Sequence, residues 1–560
     1  MGKKAKHIDD DDYVPPEDTD SDSEIEDDDD SVASSVSESE CSSSSEDSLQ
    51  VEADQDTDEK INWKEVTSKP KDCKFLEDIY GEEMKKEFSE QIVNVPDYIN
   101  EKSKPIDFFQ LFFTEEFLDM AVEQSNLFYK QEVEKIKQKQ GKISSYSRVN
   151  RFGGLSKEKI KLYLGIVLWS GLITNKRMED NWNKNDNLFL TNYSKYISYN
   201  KYLLIHRFFH LSDNSKADKT DPVYKVRPLI DLFNEKAVYY NIPGKYVCID
   251  ETMVKFKGRL FFRQFNPNKP NKYGIKLYLL CNSIGYCYNI ITYTGKGTSS
   301  EANEGFLGVE SLVINMMRPY FNAYRILYID NFYNTIKLSR YFMEQKTGLI
   351  GTLKLNRARF ANKLVLPKKA EQQIYIDPSK SIVLVVANDN KIFMMTTNVC
   401  FPIPMNVETR REGTKRKLNM IVDYNHRSKG VDLCNQKCSS YRYPHPSRKW
   451  WKPLTYHIIQ MILQNTYIIS QKYIKMSFKD YYKSVIGSLI GEEKNERMNS
   501  TFHGIDYIDS VKKSLHRKSC RLCPRKTMWI CKKCLVPLCI PDCHNKYHEM
   551  LKKPKVVINK

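Results

Sequence analysis

The sequence predicts an α/β protein: a core of alternating strands and helices between mostly helical flanks, with an acidic stretch before it and a Cys-rich stretch after it. Three observations carry this. Apolar residues recur at helical spacing up to about residue 243. From Gly244 onward, strand-like runs alternate with helical patches, the pattern of an α/β core. The charge is also divided. Residues 1–59 hold 3 basic and 23 acidic side chains (−20), and the rest hold 84 and 48 (+36), behind a total of +16. A basic body with an acidic tail points to a polyanionic partner. The 560 residues suffice for a large core and for roughly three or four domains.

Taken in order, residues 1–59 are Ser, Asp and Glu with too few apolar side chains to offset chain entropy. The disordered acidic region is set at 1–104, with order expected to begin between Lys60 and Pro105. Its serine runs are phosphate acceptors that would deepen the charge. Residues 105–243 form a helical segment: Phe108, Leu111, Phe112, Phe117, Leu118, Ala121 and Val122 keep helical spacing, and Ser156 caps an apolar helix reaching Ile173. The first part of the core is 244–356. Strands are predicted at 245–256, 274–282, 286–294, 325–330 and 348–355, with helices at 308–317 and 334–345. Residues 357–420 read as a β-rich insertion containing SIVLVVAND, KIFMMTTN and the basic run RREGTKRK, a nuclear import signal or a phosphate-binding strand edge. Residues 421–440 return to the core, 441–505 are helical, and 506–560 are Cys- and Lys-rich. Trp450 and Trp451 open an apolar helix and are read as core.

Several classes fall away. No apolar run reaches the roughly 18 residues of a membrane span. MGKKAKHIDDDD lacks a signal peptide's apolar stretch, and Lys6 breaks the myristoylation pattern. The expected compartment is reducing, so cysteines read as metal ligands or thiols before disulfides.

Asp250 and Asp330 are each read as closing an apolar strand, VCID and LYID, at the sheet rim where open α/β sheets bind ligands. Asp432, in KGVD, begins a helical stretch. Three converging carboxylates repel one another unless hard divalent ions such as Mg²⁺ or Mn²⁺ neutralise them, and two such ions clamp the attacking and leaving oxygens of a phosphodiester. Aspartates at strand ends also serve as turn residues and caps. Glu251 is expected on the other face of its strand. After the first aspartate come Lys255, Lys257, Arg259, Arg263, Lys269, Lys272 and Lys276, interleaved with Phe256, Phe261, Phe262, Phe265 and Tyr273. Cations neutralise phosphates and rings stack on bases, so this reads as a DNA-facing loop.

IDETMVKFKGR, FNPNKPNKYGIK, YIDNFYNT and VDYNHRSKGVDLCNQK, together with the Cys-rich tail, resemble the piggyBac family of DDE transposases and its domesticated derivatives over roughly residues 105–550. The resemblance implies an RNase H-like core with Asp250, Asp330 and Asp432 as catalytic, Mg²⁺-binding residues, and an inserted β-rich module at 357–420. It implies that 105–243 and 441–505 form one dimerisation and DNA-binding domain. It implies nuclear cut-and-paste chemistry on double-stranded transposon ends, through hairpins, into TTAA targets, by a homodimer. One position departs from the family pattern: where GVDxxDQ is usual, this chain has Asn435. A catalytically weakened or inactive domesticated DNA-binding protein is therefore a second reading, and a zinc-module interaction factor a third.

In the tail, Cys520, Cys523, Cys531, Cys534, Cys539 and Cys543, then His548, have zinc-ligand spacing. Two tetrahedral sites need an eighth ligand, for which His516 is preferred over His544, because His544 follows Cys543 directly and the family has an aromatic residue there. The resemblance makes this tail a two-zinc cross-brace that binds DNA. The remaining cysteines read as buried thiols.

Overall fold

The structure, a computed structural model, describes residues 60–552 except 89–92, 145–146, 184–190, 219, 268, 270, 296–297, 299–302, 363, 390, 410–412, 492–504, 508–517 and 532–535. The acidic residues 1–59 lie outside the described residues. The 1–104 boundary is corrected at its far end. Strand β1 (Lys64–Glu65) joins the main sheet, and helix α1 (Leu76–Glu87) follows the buried Phe75. Ile61, Leu76, Met84 and Ile99 are also buried. A few scattered anchors order this segment because their partners come from far along the chain: Ile61 bridges Phe360, and Leu76 N donates to Asn398 O.

Helices α2 (Pro105–Gln110), α3 (Glu115–Gln140), α4 (Lys157–Leu172), α5 (Tyr199–Phe208) and α6 (Arg227–Tyr240) fill the predicted helical segment. Thr114 and Ser156 cap α3 and α4 by accepting from Phe117 N and Lys159 N, which satisfies first-turn donors.

The core strands are β2 (Tyr246–Lys255), β3 (Gln264–Phe265), β4 (Tyr273–Asn282), β5 (Cys287–Thr292), β6 (Ile326–Ile329) and β7 (Gly348–Leu353), with α7 (Gly308–Met317) and α8 (Ile336–Glu344) between them. In space the order is β5-β4-β2-β6-β7: β2, β6 and β7 are parallel, while β4 is antiparallel to β2 and to β5. This is an RNase H-like arrangement. The buried β6 is apolar throughout, as a strand covered on both faces must be.

Between the second and third aspartates, β8 (Gln372–Ile376), β9 (Val383–Asn388) and β10 (Ile392–Thr397) extend the same sheet, because β10 pairs antiparallel with β7. The sheet reaches ten strands. Strands β11 (Pro404–Thr409) and β12 (Gly413–Leu418) form a separate hairpin. Residues 413–417 of the basic run lie along β12, and residues 410–412 are outside the described residues.

Then follow α9 (Asn419–Arg427), α10 (Gly430–Ser440), α11 (Trp451–Ser470) and α12 (Phe478–Ile490). Trp450 and Trp451 are buried. The early and late helices share one core. Tyr482 OH donates to Leu168 O at 3.1 Å, and the hydroxyls of Tyr163 and Tyr456 are 2.6 Å apart. A Cβ on Gly165 would lie 2.6 Å from Ile490 Cγ2, so glycine sets how closely α4 and α12 approach. The tail contains β13 (Ile505–Tyr507), β14 (Lys518–Ser519), β15 (Lys526–Thr527), β16 (Trp529–Cys531) and α13 (Asp542–Lys552), with β13 paired to β16. Among the described residues no helix is long and apolar enough to cross a membrane.

Candidate active site and metal centres

Backbone register brings the first two aspartates together. In the parallel pair β2–β6, Tyr246 is level with Ile326, Val247 with Leu327 and Cys248 with Tyr328. Continuing that offset sets Asp250 level with Asp330. Asp330 does follow the last residue of β6, as predicted, but Asp250 does not end a strand: β2 runs on to Lys255, paired with β4. The apolar run stops at Asp250, whereas the backbone ladder continues, in keeping with the strand predicted over 245–256.

The loop after Asp330 is held firmly. Phe332 N donates to Asp330 Oδ1 at 2.8 Å, and Arg357, itself buried, donates to the carbonyls of Asn331, Phe332 and Asn334 at 3.0–3.1 Å. The third aspartate, Asp432, is in the first turn of α10. That turn lies against β2 and β4 at Gly430, where a Cβ would meet Asn282 O at 2.0 Å and Cys248 Sγ at 2.8 Å. Cys248 is two residues before Asp250. Asn435, one helical turn beyond Asp432, is half-buried, and its Oδ1 is buried with no hydrogen-bond partner.

Glu251 borders the same cluster from the other face of β2, as strand alternation predicts, since it is paired with Tyr278 while Asp250 is paired with Leu279. Tyr333 OH donates to Glu251 Oε2 at 2.8 Å, and Lys269 Nζ is 3.2 Å from Oε1. Burial first, then the charges of Glu251 and Asp330, push the Asp250 carboxyl well above the usual range. Burial likewise raises Asp330, against a backbone N–H that favours its charge. Burial also opposes ionisation of Glu251, but Lys276, Lys269 and hydrogen bonds from Asp250 and Tyr333 outweigh it and hold Glu251 down. Burial works against the Lys269 ammonium too, and Glu251, Asp250 and Asp432 raise its pKa in spite of it. The crowded carboxylates of Asp250 and Asp330 are hard oxygen donors that fit divalent Mg²⁺ or Mn²⁺. Asp250, Asp330 and Asp432 are the residues that would hold it.

The family model for Transposase IS4, of the DDE class, matches residues 104–467, which includes all three aspartates. The chain belongs to the piggyBac-type DDE transposase family. It is 24% identical over 480 residues to the human PiggyBac transposable element-derived protein 3, covering 81% of this chain and 77% of that protein. It is 24% identical to the human chimeric ERCC6-PGBD3 protein, of whose length it spans 43%. The fold resembles the cryo-EM structure of a piggyBac transposase synaptic complex with hairpin DNA at a TM-score of 0.63 and 23% identity, covering 80% of this chain and 97% of that one.

In this family member the basic loop after β2 divides into three parts. Lys257, Arg259 and Lys272 are exposed, as are the rings of Phe261, Phe265 and Tyr273. Arg263 turns back to the carbonyls of Lys257 and Gly258, at 2.9 and 3.1 Å, and stacks on Tyr273. Lys269 and Lys276 turn toward the carboxylates, with Lys276 Nζ 4.7 Å from the Phe332 ring centre. Lys255 ends β2 and is half-buried, and Phe256 and Phe262 are core.

The Cys-rich tail gathers two ligand sets. Cys520, Cys523, Cys539 and Cys543 place their sulfurs within 4.8 Å of one another, and Cys531, His544 and His548 do the same with one ligand atom each. The two sets interleave along the chain, the pattern of a cross-brace. His544 therefore sits in the second set, where the sequence reading preferred His516. Adjacent residues serve different centres here because α13 sends consecutive side chains in different directions. His516 and Cys534 lie outside the described residues. The donor chemistry fits zinc. His548 Nδ1 hydrogen-bonds His544 O at 2.7 Å, which leaves its Nε2 for a metal, and His544 Nε2 is buried without a partner.

From the sequence Glu251 is only a weaker metal candidate beside Asp250, and Tyr333 and Arg357 are not site residues. Glu251 adjoins a candidate aspartate and Tyr333 lies in a quoted motif, so a signal existed for those two. Arg357 carries none, since it holds the loop through backbone carbonyls, which leave no mark in the side-chain pattern.

Proposed function

We propose that this chain is a cut-and-paste DNA transposase that cleaves and rejoins DNA strands at Asp250, Asp330 and Asp432. The observation that carries the reading is the β2–β6 register, which sets Asp250 level with Asp330 in a crowded, half-buried carboxylate cluster. Divalent ions, when bound, would supply the charge that activates water and stabilises the leaving oxygen. In the hydrolytic step a water oxygen bonds to phosphorus as the P–O3′ bond breaks, the water gives up a proton, and the 3′ oxygen takes one. The freed 3′-hydroxyl would then attack a phosphorus of the opposite strand, forming the hairpin's P–O3′ bond as that strand's own P–O3′ bond breaks and its leaving 3′ oxygen takes the proton. A water would reopen the hairpin before the end joins at TTAA. The exposed Lys257, Arg259 and Lys272 would bind phosphates, two zinc ions would order the tail for DNA, and the protein would work as a nuclear homodimer.

The test is cleavage of a plasmid carrying the DNA that flanks this chain's own gene, with Mg²⁺, beside the Asp330→Asn variant. Cutting by the native chain and none by the variant is expected. Equal cutting by both would overturn the assignment. Asn435 favours a second reading, a descendant that binds DNA without cutting it. Salt-sensitive binding with no cleavage in either protein would select that reading.

A further inference from the structure

We propose that Glu251 anchors Lys269 beside the aspartates, and that the Lys269 ammonium contacts the phosphate being cut; this rests on the cutting-site reading above. Both oxygens of Glu251 are engaged, Oε2 by the Tyr333 hydroxyl at 2.8 Å and Oε1 by Lys269 at 3.2 Å. A carboxylate committed in this way is a poor metal ligand and a good positioning group. Its support is rigid. Tyr333 is fully buried, and Arg357 holds the loop that carries it through three backbone carbonyls.

Lys269 lies between β3 and β4 on a turn closed by Asn266 N donating to Lys272 O at 2.8 Å and Lys269 N to Asn266 O at 3.3 Å. Its side chain is 33% exposed and that of Glu251 14%, so the ammonium sits at the rim of the cluster, open to an incoming strand. The exposed Lys257, Arg259 and Lys272 give that rim further positive charge. Lys269 also feels Asp250, Asp330 and Asp432, so its charge is centred on the site and not on one partner. Negative charge builds on the non-bridging phosphate oxygens as the attacking oxygen arrives. A fixed cation stabilises that charge more than the ground state, which raises turnover without tightening binding. Lys269 is thus a catalytic residue under this proposal, and Glu251 and Tyr333 are positioning residues.

The experiment uses the full chain and two readouts. Mn²⁺ binding is measured by electron paramagnetic resonance without DNA, and cleavage on the plasmid described above. Glu251→Gln is expected to bind Mn²⁺ within about 3-fold of the native chain, while Asp330→Asn loses at least about 10-fold. Lys269→Met and Glu251→Gln are each expected to lower kcat by roughly 10²-fold with KM little changed, and the double variant to be no worse than Lys269→Met. Lys269→Arg should recover part of the rate, and thermal midpoints exclude misfolding. Loss of Mn²⁺ in Glu251→Gln equal to that in Asp330→Asn would make Glu251 a ligand and overturn the anchor. Native turnover in Lys269→Met, or additive losses in the double variant, would overturn the catalytic role. If the native chain binds Mn²⁺ and neither it nor Asn435→Asp cuts, the catalytic role falls while the anchor stands. If Asp330→Asn binds Mn²⁺ like the native chain, the cutting-site reading fails first.

Discussion

At the scale of single residues, the site is set by what each polar group finds to bond. Asn435 Oδ1 finds nothing, although it sits one helical turn from Asp432. A carboxylate there adds charge for a divalent ion, where the amide adds only a dipole. Asn435→Asp is expected to raise Mn²⁺ affinity and cleavage, each by about 10-fold. Unchanged Mn²⁺ binding, followed by calorimetry, would show that the position does not reach the metal. His544 is the tail's counterpart. With its buried, unpartnered Nε2 it should complete the second zinc centre. His544→Ala is expected to reduce bound zinc from two ions per chain to one, measured by native mass spectrometry, with the four-cysteine centre kept. Retention of both ions would return the eighth ligand to His516.

At the scale of elements, α10 places Asp432 by packing its first turn directly on β2 and β4. Gly430 permits this, since any Cβ would meet Asn282 O at 2.0 Å. Gly430→Ala should therefore cost about 1–3 kcal/mol and cut cleavage by up to about 10²-fold, because the helix must shift and Asp432 shifts with it. Gly81→Ala, with no atom within 4 Å of the new methyl, is the control and should leave both stability and cleavage near native. Cleavage by Gly430→Ala at the native rate would show that the helix is not rigidly placed. Most elements were legible from their periodicity: Gly308–Met317 and the strands around Asp250 and Leu349 needed no tertiary information. Helix α9 and the β11–β12 hairpin were not legible. α9 is short, and the hairpin is too polar to show an alternating face.

At the scale of the whole molecule, two predictions follow from charge and burial. Burial holds the imidazoles of His210, His445 and His457 down, each to about 4, and pushes His206 well down too. Their folded values lie below the unfolded one, so the unfolded chain binds more protons as pH falls from about 6.5 toward 4. Stability contributed by these groups is present above that window and is lost through it, at roughly 2–3 kcal/mol per histidine by pH 4. The urea midpoint should drop between pH 7 and pH 5, and a flat profile would contradict the burial. The second prediction concerns the −20 of residues 1–59 beside the +36 of the remainder. If the tail competes with DNA, removing it should raise affinity by about 10-fold at low salt and much less at high salt. Equal affinity with and without it, in a salt series, would reduce the tail to a solvating segment.

The sequence by itself determined the α/β class, the order of the three aspartates, the zinc-ligand composition of the tail and the division of charge. These depend on local periodicity, short spacings and sums, which are properties of the chain before it folds. Only the tertiary structure decided that β2 and β6 pair in the register that sets Asp250 level with Asp330, that Glu251 turns to Lys269 and Tyr333, that the described residues from 60 to 104 join the fold, and that His544 joins Cys531 and His548. Each of these depends on a partner distant in sequence or on the direction of one side chain, and register and packing fix both only once the sheet and helices have closed around them.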